Sequence, residues 1–395
     1  MSIVLKNAPY QQGYYTIPDL PVFRLRCTLP ITAEVGYIHN GKVYNIFTSS
    51  YVPGVDDYIE ISFNDVLQTL FSSEEPIFHL SYFSQYNLLK EIYVLFKDDD
   101  GQVERTFNIL NMNAHASNIA SILPKRFLTS QPNVKVTTVD SPEFLTYFNI
   151  SGIKSLVAQF YNSSGEISDI ITLCSINAVG ACTYNVSYSF VTSMLYSSID
   201  EKKPFYDIYV VDETGQRISE VQRYVFKEAS GNENYYLFYN SFGGLDTLTT
   251  SGPMHTNTEI SFDIARCSDG LKQLENPDDH IVYKQNSGQI SADCIPFVKD
   301  FISSKRDKYI YDGLEFIKIT ITEAEGNFNC KKELNSFEFS YRKMDDVQVF
   351  DDINIDQELI VENIFYQTPK EAEEDTRQYG VWINHYTWDN SSNWN

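Results

Sequence analysis

Tryptophan is scarce in this sequence, and all three copies, Trp382, Trp388 and Trp394, lie in its last fourteen residues. Basic side chains are also few, 30 against 53 acidic ones, for a formal charge of −23. A surface that negative repels phosphate backbones and anionic lipid, so nucleic acid and membrane surfaces are not expected partners. No apolar run approaches the ~20 residues of a membrane span, and the N-terminal MSIVLKNAPYQQGYY has no secretory pattern, so synthesis in the cytoplasm is expected. The six cysteines (Cys27, Cys174, Cys182, Cys267, Cys294 and Cys330) include no CxxC pair and read as mostly buried thiols in a reducing compartment, with Cys174 and Cys182 the closest couple. Six scattered histidines form no HxxxH or HExxH, and there is no GxSxG elbow, P-loop or GxGxxG. No metal, cofactor or catalytic residue is therefore expected, and zinc, nucleotide and serine-hydrolase chemistry lose their usual support. A glycosidase needs only two well-placed carboxylates and stays open as a weaker alternative.

What is abundant is tyrosine and phenylalanine, 28 and 26 of them. Both favour half-buried pleated surfaces, which argues for sheets. Four strand–turn–strand units recur, around Asn40-Gly41, Asp100-Gly101, Ser164-Gly165 and Thr214-Gly215. Asp98-Asp99-Asp100-Gly101 resembles part of a calcium loop but lacks the distal glutamate, and an acidic turn is the better reading. Between the turns of each pair, alternation gives way to helical spacing. Ile59, Ile61 and Phe63 precede Val66, Leu67 and Leu70; Tyr184, Val186 and Tyr188 precede Val191 and Leu195. Gly41 and Gly165 are 124 residues apart.

The repeated order suggests an internal duplication and an all-β fold of tandem β-sandwich domains, 1–124 and 125–253. A smaller β-rich unit with one short helix behind Pro296 is expected over 254–350, with a further hairpin around Ser287-Gly288. Residues 351–395 read as an arm: Asp351 to Asp375 holds nine acidic side chains, and the tail behind it carries Trp382, Tyr386, Trp388 and Trp394 as candidate partner-binding residues. The most organised stretch is Asn234–Gly252, NYYLFYNSFGGLDTLTTSG. It reads as a buried hairpin whose turn is set by Asn240, Gly243, Gly244 and Asp246, and it is expected to supply the last strands of the second copy.

At FLTSQP (Phe127–Pro132), SPEFLTYF (Ser141–Phe148), SEVQRYVF (Ser219–Phe226) and YLFYNSFGGLDTLTTSG (Tyr236–Gly252), the middle third of the chain resembles uncharacterised proteins encoded by phages and prophages of the Bacteroidetes. The Asn-Ser-x-Gly-Gly-x-Asp-Thr core carries most of that likeness. Such proteins are held to be virion or tail-associated structural components, so the resemblance implies assembly with other virion or tail subunits, or with copies of itself, and no enzymatic residues. A carbohydrate-binding or host-adhesion protein is the alternative, with a glycan as partner.

Overall fold

Turn chemistry fixes where this chain reverses. Asn40 and Gly41 take φ of +50° and +72°, the left-handed pair that a two-residue hairpin requires between His39 and Lys42. At the other three turns a side chain closes the loop. Asp98 Oδ1 accepts the N–H groups of Asp100 and Gly101, Asn162 Oδ1 those of Ser164 and Glu166, and Asp212 Oδ1 those of Thr214 and Gln216. The expected calcium-loop look-alike is thus an acidic turn whose first carboxylate is used by its own backbone.

The computed structural model describes residues 3–71, 75–77, 80–116, 118–195, 203–266, 272–328 and 335–344, with side chains described outside 259–280 and 327. The fold is all-β, with several sandwich-like units. In the first, strands Val4–Asn7, Phe23–Arg26 and Tyr58–Ile61 form a three-stranded sheet. It faces a five-stranded sheet ordered Tyr14–Thr16, Gln102–Leu110, Leu89–Lys97, Ile31–His39, Lys42–Tyr51. Alternation sends Phe23, Leu25, Ile59 and Ile61 inward from one sheet and Val94, Phe96, Phe107 and Ile109 from the other. Phe23 sits 5.4 Å from both Phe63 and Phe96, ring centre to ring centre.

The second unit repeats this topology. Its five-stranded sheet runs Val134–Thr137, Gln222–Phe226, Phe205–Asp212, Lys154–Tyr161, Ile167–Ile176. In both sheets the first strand lies parallel to the last in sequence and all other pairs are antiparallel. A short helix follows the equivalent strand in each, Asn64–Gln68 and Tyr188–Ser193. The facing sheet differs: Phe144–Asn149 and Gly180–Asn185 pair with each other, and Tyr82–Ser84, which precedes the last two strands of the first unit, pairs along Gly180–Asn185. Chain from the first unit thereby completes a sheet of the second.

The remaining strands form one sheet of seven, ordered Leu245–Thr250, Asn234–Tyr239, Lys308–Tyr311, Phe316–Asn327, Ser336–Lys343, Lys272–Asn286, Met254–Arg266. The Asn234–Gly252 hairpin therefore starts this sheet and does not close the second sandwich. Its strand Asn234–Tyr239 finds Lys308–Tyr311 as its second neighbour. Nor does a hairpin form around Ser287-Gly288: Gly288, at φ +73°, turns the chain so that Ile290 bridges Asn335. Helix Ile295–Ser303, with Pro296 in its first turn as expected, lays Phe297, Val298 and Phe301 on Tyr236, Phe238 and Phe339. Residues 1–259 and 280–346 make one compact unit. Residues 260–279 fall outside it, and what is described there is strand at 260–266 and 272–279. No described helix is long and apolar enough to cross a membrane.

Candidate functional site

Strand Phe144–Asn149 is buried at all six positions, so both of its faces are covered. Leu145 and Tyr147 enter the second sandwich's core, while Phe144 packs with Phe83, Leu237, Tyr239, Leu245 and Tyr309. The outer face of that sheet is therefore where the seven-stranded sheet docks, and the turn Asn240–Gly244, with Asp246 in the strand behind it, is driven into the seam.

The turn is built by its own polar atoms. Asn240 N–H donates to Gly244 O at 2.9 Å and Gly243 N–H to Asn240 O at 2.9 Å, while Asn240 Oδ1 accepts the N–H of Phe242 at 2.8 Å. Asn240 Nδ2 then reaches outward, donating to Leu128 O at 3.0 Å and to Asp246 Oδ2 at 2.7 Å. Asp246 is fully buried and accepts from Thr129 Oγ at 2.6 Å and Ser130 N–H at 2.9 Å. Burial pushes its carboxyl up to about 6, against the opposing pull of those donors.

The two glycines are required by closeness. A Cβ on Gly244 would stand 1.8 Å from Leu128 O; one on Gly243 would meet Leu88 Cδ1 at 2.2 Å and Asn111 O at 2.9 Å, and Gly243 also holds φ +83°. Leu88 and Asn111 flank the last two strands of the first sandwich, so the tip touches both sandwiches at once. Ser241 O accepts the N–H groups of Asn113 at 2.8 Å and Ala114 at 3.1 Å. Ser241 N–H and Oγ bond the Asp300 carboxylate on the helix. Arg306 reaches Asn111, donating to its backbone O and, at 2.7 Å, to its Oδ1. Burial pulls that guanidinium down to about 10.

A buried ion pair lies alongside. Lys135 Nζ meets Glu143 at 2.5 Å and also donates to Thr247 O of the hairpin. Burial raises the Glu143 carboxyl even with Lys135 beside it. Gln85, directly after the strand Tyr82–Ser84, donates to Thr146 Oγ at 3.2 Å and Thr183 Oγ at 2.5 Å; Leu245 N–H bonds Thr146 Oγ at 3.1 Å. The donors and acceptors named here bond one another, and these bonds tie three sheets together.

Asn240, Gly243 and Gly244 lie in the turn between the paired residues Tyr239 and Leu245, whereas Asp246 lies in strand Leu245–Thr250, opposite Phe238, and reaches the turn through Asn240 Nδ2. Trp382, Tyr386, Trp388 and Trp394 lie outside the described residues. Lys135, Glu143, Asp300 and Arg306 were not singled out from the sequence. Their one visible signal is in strand Val134–Thr137, where exposed Val134 and Val136 alternate with buried Lys135 and Thr137, the reverse of the usual phase. Cys174 and Cys182 are free thiols, and burial pushes Cys174 up to about 12. Among the described residues no group of His, Cys, Asp and Glu is placed to hold a metal.

No family model matches the chain, and no curated protein is similar to it. Among solved structures, similarity is found to a chain of the tail of an empty gene transfer agent particle, at TM-score 0.21 and 9% identity over 30% of this chain and 94% of that one. A chain from the virion of a native gene transfer agent particle is similar at TM-score 0.20 and 10% identity, over the same shares.

Proposed function

We propose that the chain is a non-enzymatic structural subunit of a phage tail or virion, acting through protein–protein contacts. The observation that supports this reading is the Asn240–Asp246 junction, where the buried polar groups bond across three sheets and hold them together as one building block. The resemblance at Asn240–Thr247 and the upstream motifs points to the particle as its setting. The acidic, Trp-ended segment 351–395 is assigned here, on its sequence, as the arm that docks on neighbouring subunits, with tryptophans filling partner pockets. Mass spectrometry of gradient-purified particles from a producing host tests the reading. The chain should appear in fixed ratio to other particle proteins. Its absence, together with polysaccharide turnover lost on a single carboxylate-to-amide change, would replace this reading with a glycan-cleaving one.

A further inference from the structure

The repeated topology leaves the molecule with two equivalent free edges. Lys42–Tyr51 ends the first five-stranded sheet and Ile167–Ile176 ends the second, and each pairs on one side only among the described residues. Both are ten residues long, about 33 Å of unpaired backbone at the usual strand rise. Neither contains proline, and the single lysine sits at one end of the first; the ladders are interrupted only by β-bulges, at Ile46 in the first and at Ser168 and Leu173 in the second, which leaves Ile170 to Thr172 regular. Both also expose large apolar side chains: Val43 at 50% and Tyr44 at 43%, Ile167 at 56% and Ile170 at 58%. No residue of Lys42–Tyr51 is buried, although half of them are large and apolar.

Charge separates the two edges. From Val35 to Val55 there is no acidic residue, and the hairpin carries His39 and Lys42; this is the more notable in a chain of net charge −23. From Ser155 to Glu201 there is no basic residue, and the equivalent hairpin carries exposed Glu166 and, paired with Lys203 at 3.1 Å, Asp169. Lys42 and Glu166 each stand directly after the turn of their hairpin. Two strands laid side by side with turns at the same end would bring these charges together.

We propose that Lys42–Tyr51 of one copy pairs in parallel with Ile167–Ile176 of a second copy, joining their five-stranded sheets into one. This rests on the structural-subunit reading and names its partner as another copy of the same chain. The contact is heterologous, each copy offering one edge of each kind, so it propagates into a ring or a filament. Main-chain pairing and the exposed valine and isoleucine side chains hold it, and the opposite charges select partner and direction.

Sedimentation velocity of the full chain over a concentration series at low salt is the test. Lys42→Glu and Glu166→Lys should each weaken self-association about tenfold, and the chain carrying both should regain it, because the swapped charges again face each other. Ile170→Lys should abolish it, and thermal melting checks that each variant stays folded. Hydrogen exchange should show amides of 42–51 and 167–176 slowing as concentration rises. Assemblies that form but ignore all four variants would overturn this inference and leave the structural reading intact. A chain that stays monomeric with both edges unprotected would overturn it as well, whereas only absence from particles bears on the structural reading itself.

Discussion

Gly244→Ala isolates the keystone role of the turn. The added methyl would lie 1.8 Å from Leu128 O, where ordinary contact needs more than 3 Å, and the obstacle is backbone. Relief requires a shift of roughly 1 Å or more between the turn and the Leu128 segment. That segment is held by Leu128 N–H on Thr146 O at 2.8 Å, and its carbonyl accepts from Asn240 Nδ2 at 3.0 Å. Overpacking of this kind costs about 1–3 kcal/mol, and stranding one buried partner about 1–3 kcal/mol more. A total loss of about 2–6 kcal/mol follows, against the ~5–15 kcal/mol typical of a folded domain. Gly41→Ala is the control: φ is +72° there, but no atom lies within 4 Å of the added Cβ, so only local strain of about 1 kcal/mol is expected. Urea denaturation followed by tyrosine fluorescence compares the two. If Gly244→Ala loses no more stability than Gly41→Ala, close packing is not what selects glycine at 244, and the account of the junction falls.

Asp246 carries a pH signature. Its folded value near 6 lies above the ordinary 3.8, so protonation favours folding; the stabilisation is fully present below about 3.8 and is lost as pH rises through 6. The gain between neutral and acid pH is at most about 3 kcal/mol, and depressed carboxylates such as Asp19 and Asp312 oppose it below pH 4. Denaturation midpoints should therefore be higher at pH 5 than at pH 7.5, a difference that Asp246→Asn should flatten; a steeper dependence in the variant would contradict the assignment. Lys135→Met should lose about 3–5 kcal/mol in chemical denaturation by leaving Glu143 buried alone, and adding Glu143→Gln should recover much of it. Equal losses in the single and double variants would show that the pair is not coupled. Phe144→Arg should lose a similar ~3–5 kcal/mol and expose the Asn234–Tyr239 strand to hydrogen exchange, while unchanged protection there would refute the docking face. Truncation after Phe350 should leave the denaturation midpoint unchanged and remove particle incorporation; unfolding of the truncated chain would sink the arm assignment.

Reversals and strand alternation were legible in the sequence because both are local. Asn-Gly and the Asx-type turns write their geometry into two to five residues, and Ile59-x-Ile61-x-Phe63 announces its inner face directly. What could not be read depended on distant partners. Tyr82–Ser84 is three residues long, too short for periodicity, and its partners lie about 100 residues further on. The Asn234–Gly252 hairpin reads from the sequence as buried and organising, but the sheet it joins does not, since its neighbour Lys308–Tyr311 is about 70 residues away. Lys135 and Glu143 were missed for a different reason. Charged residues are read as solvent-facing by default, and only a three-dimensional seam lined by Thr247 O and Ser141 makes burial tolerable.

The two sandwiches also show how one topology came to hold two roles. Matching Ile59, Ile61 and Phe63 to Tyr184, Val186 and Tyr188 places Leu25 opposite Leu145, because each pairs with the matched strand residue, Ile59 or Tyr184. Core positions then correspond to core positions, and Arg24 and Arg26 correspond to Phe144 and Thr146. In the first sandwich that outer face is polar and exposed: Arg24 lies 3.4 Å from Glu60 and 4.5 Å from the ring centre of Tyr58. In the second it is phenylalanine and threonine, covered by Leu237, Tyr239 and Leu245. A few side chains on one face thus decide which sandwich carries the seven-stranded sheet, while the inner faces stay free to keep the sandwich. Because docking uses a sheet face and not an edge, the long edges of both sandwiches are left open by the same division of labour, which is why they, and not the junction, are the surfaces available to a second copy.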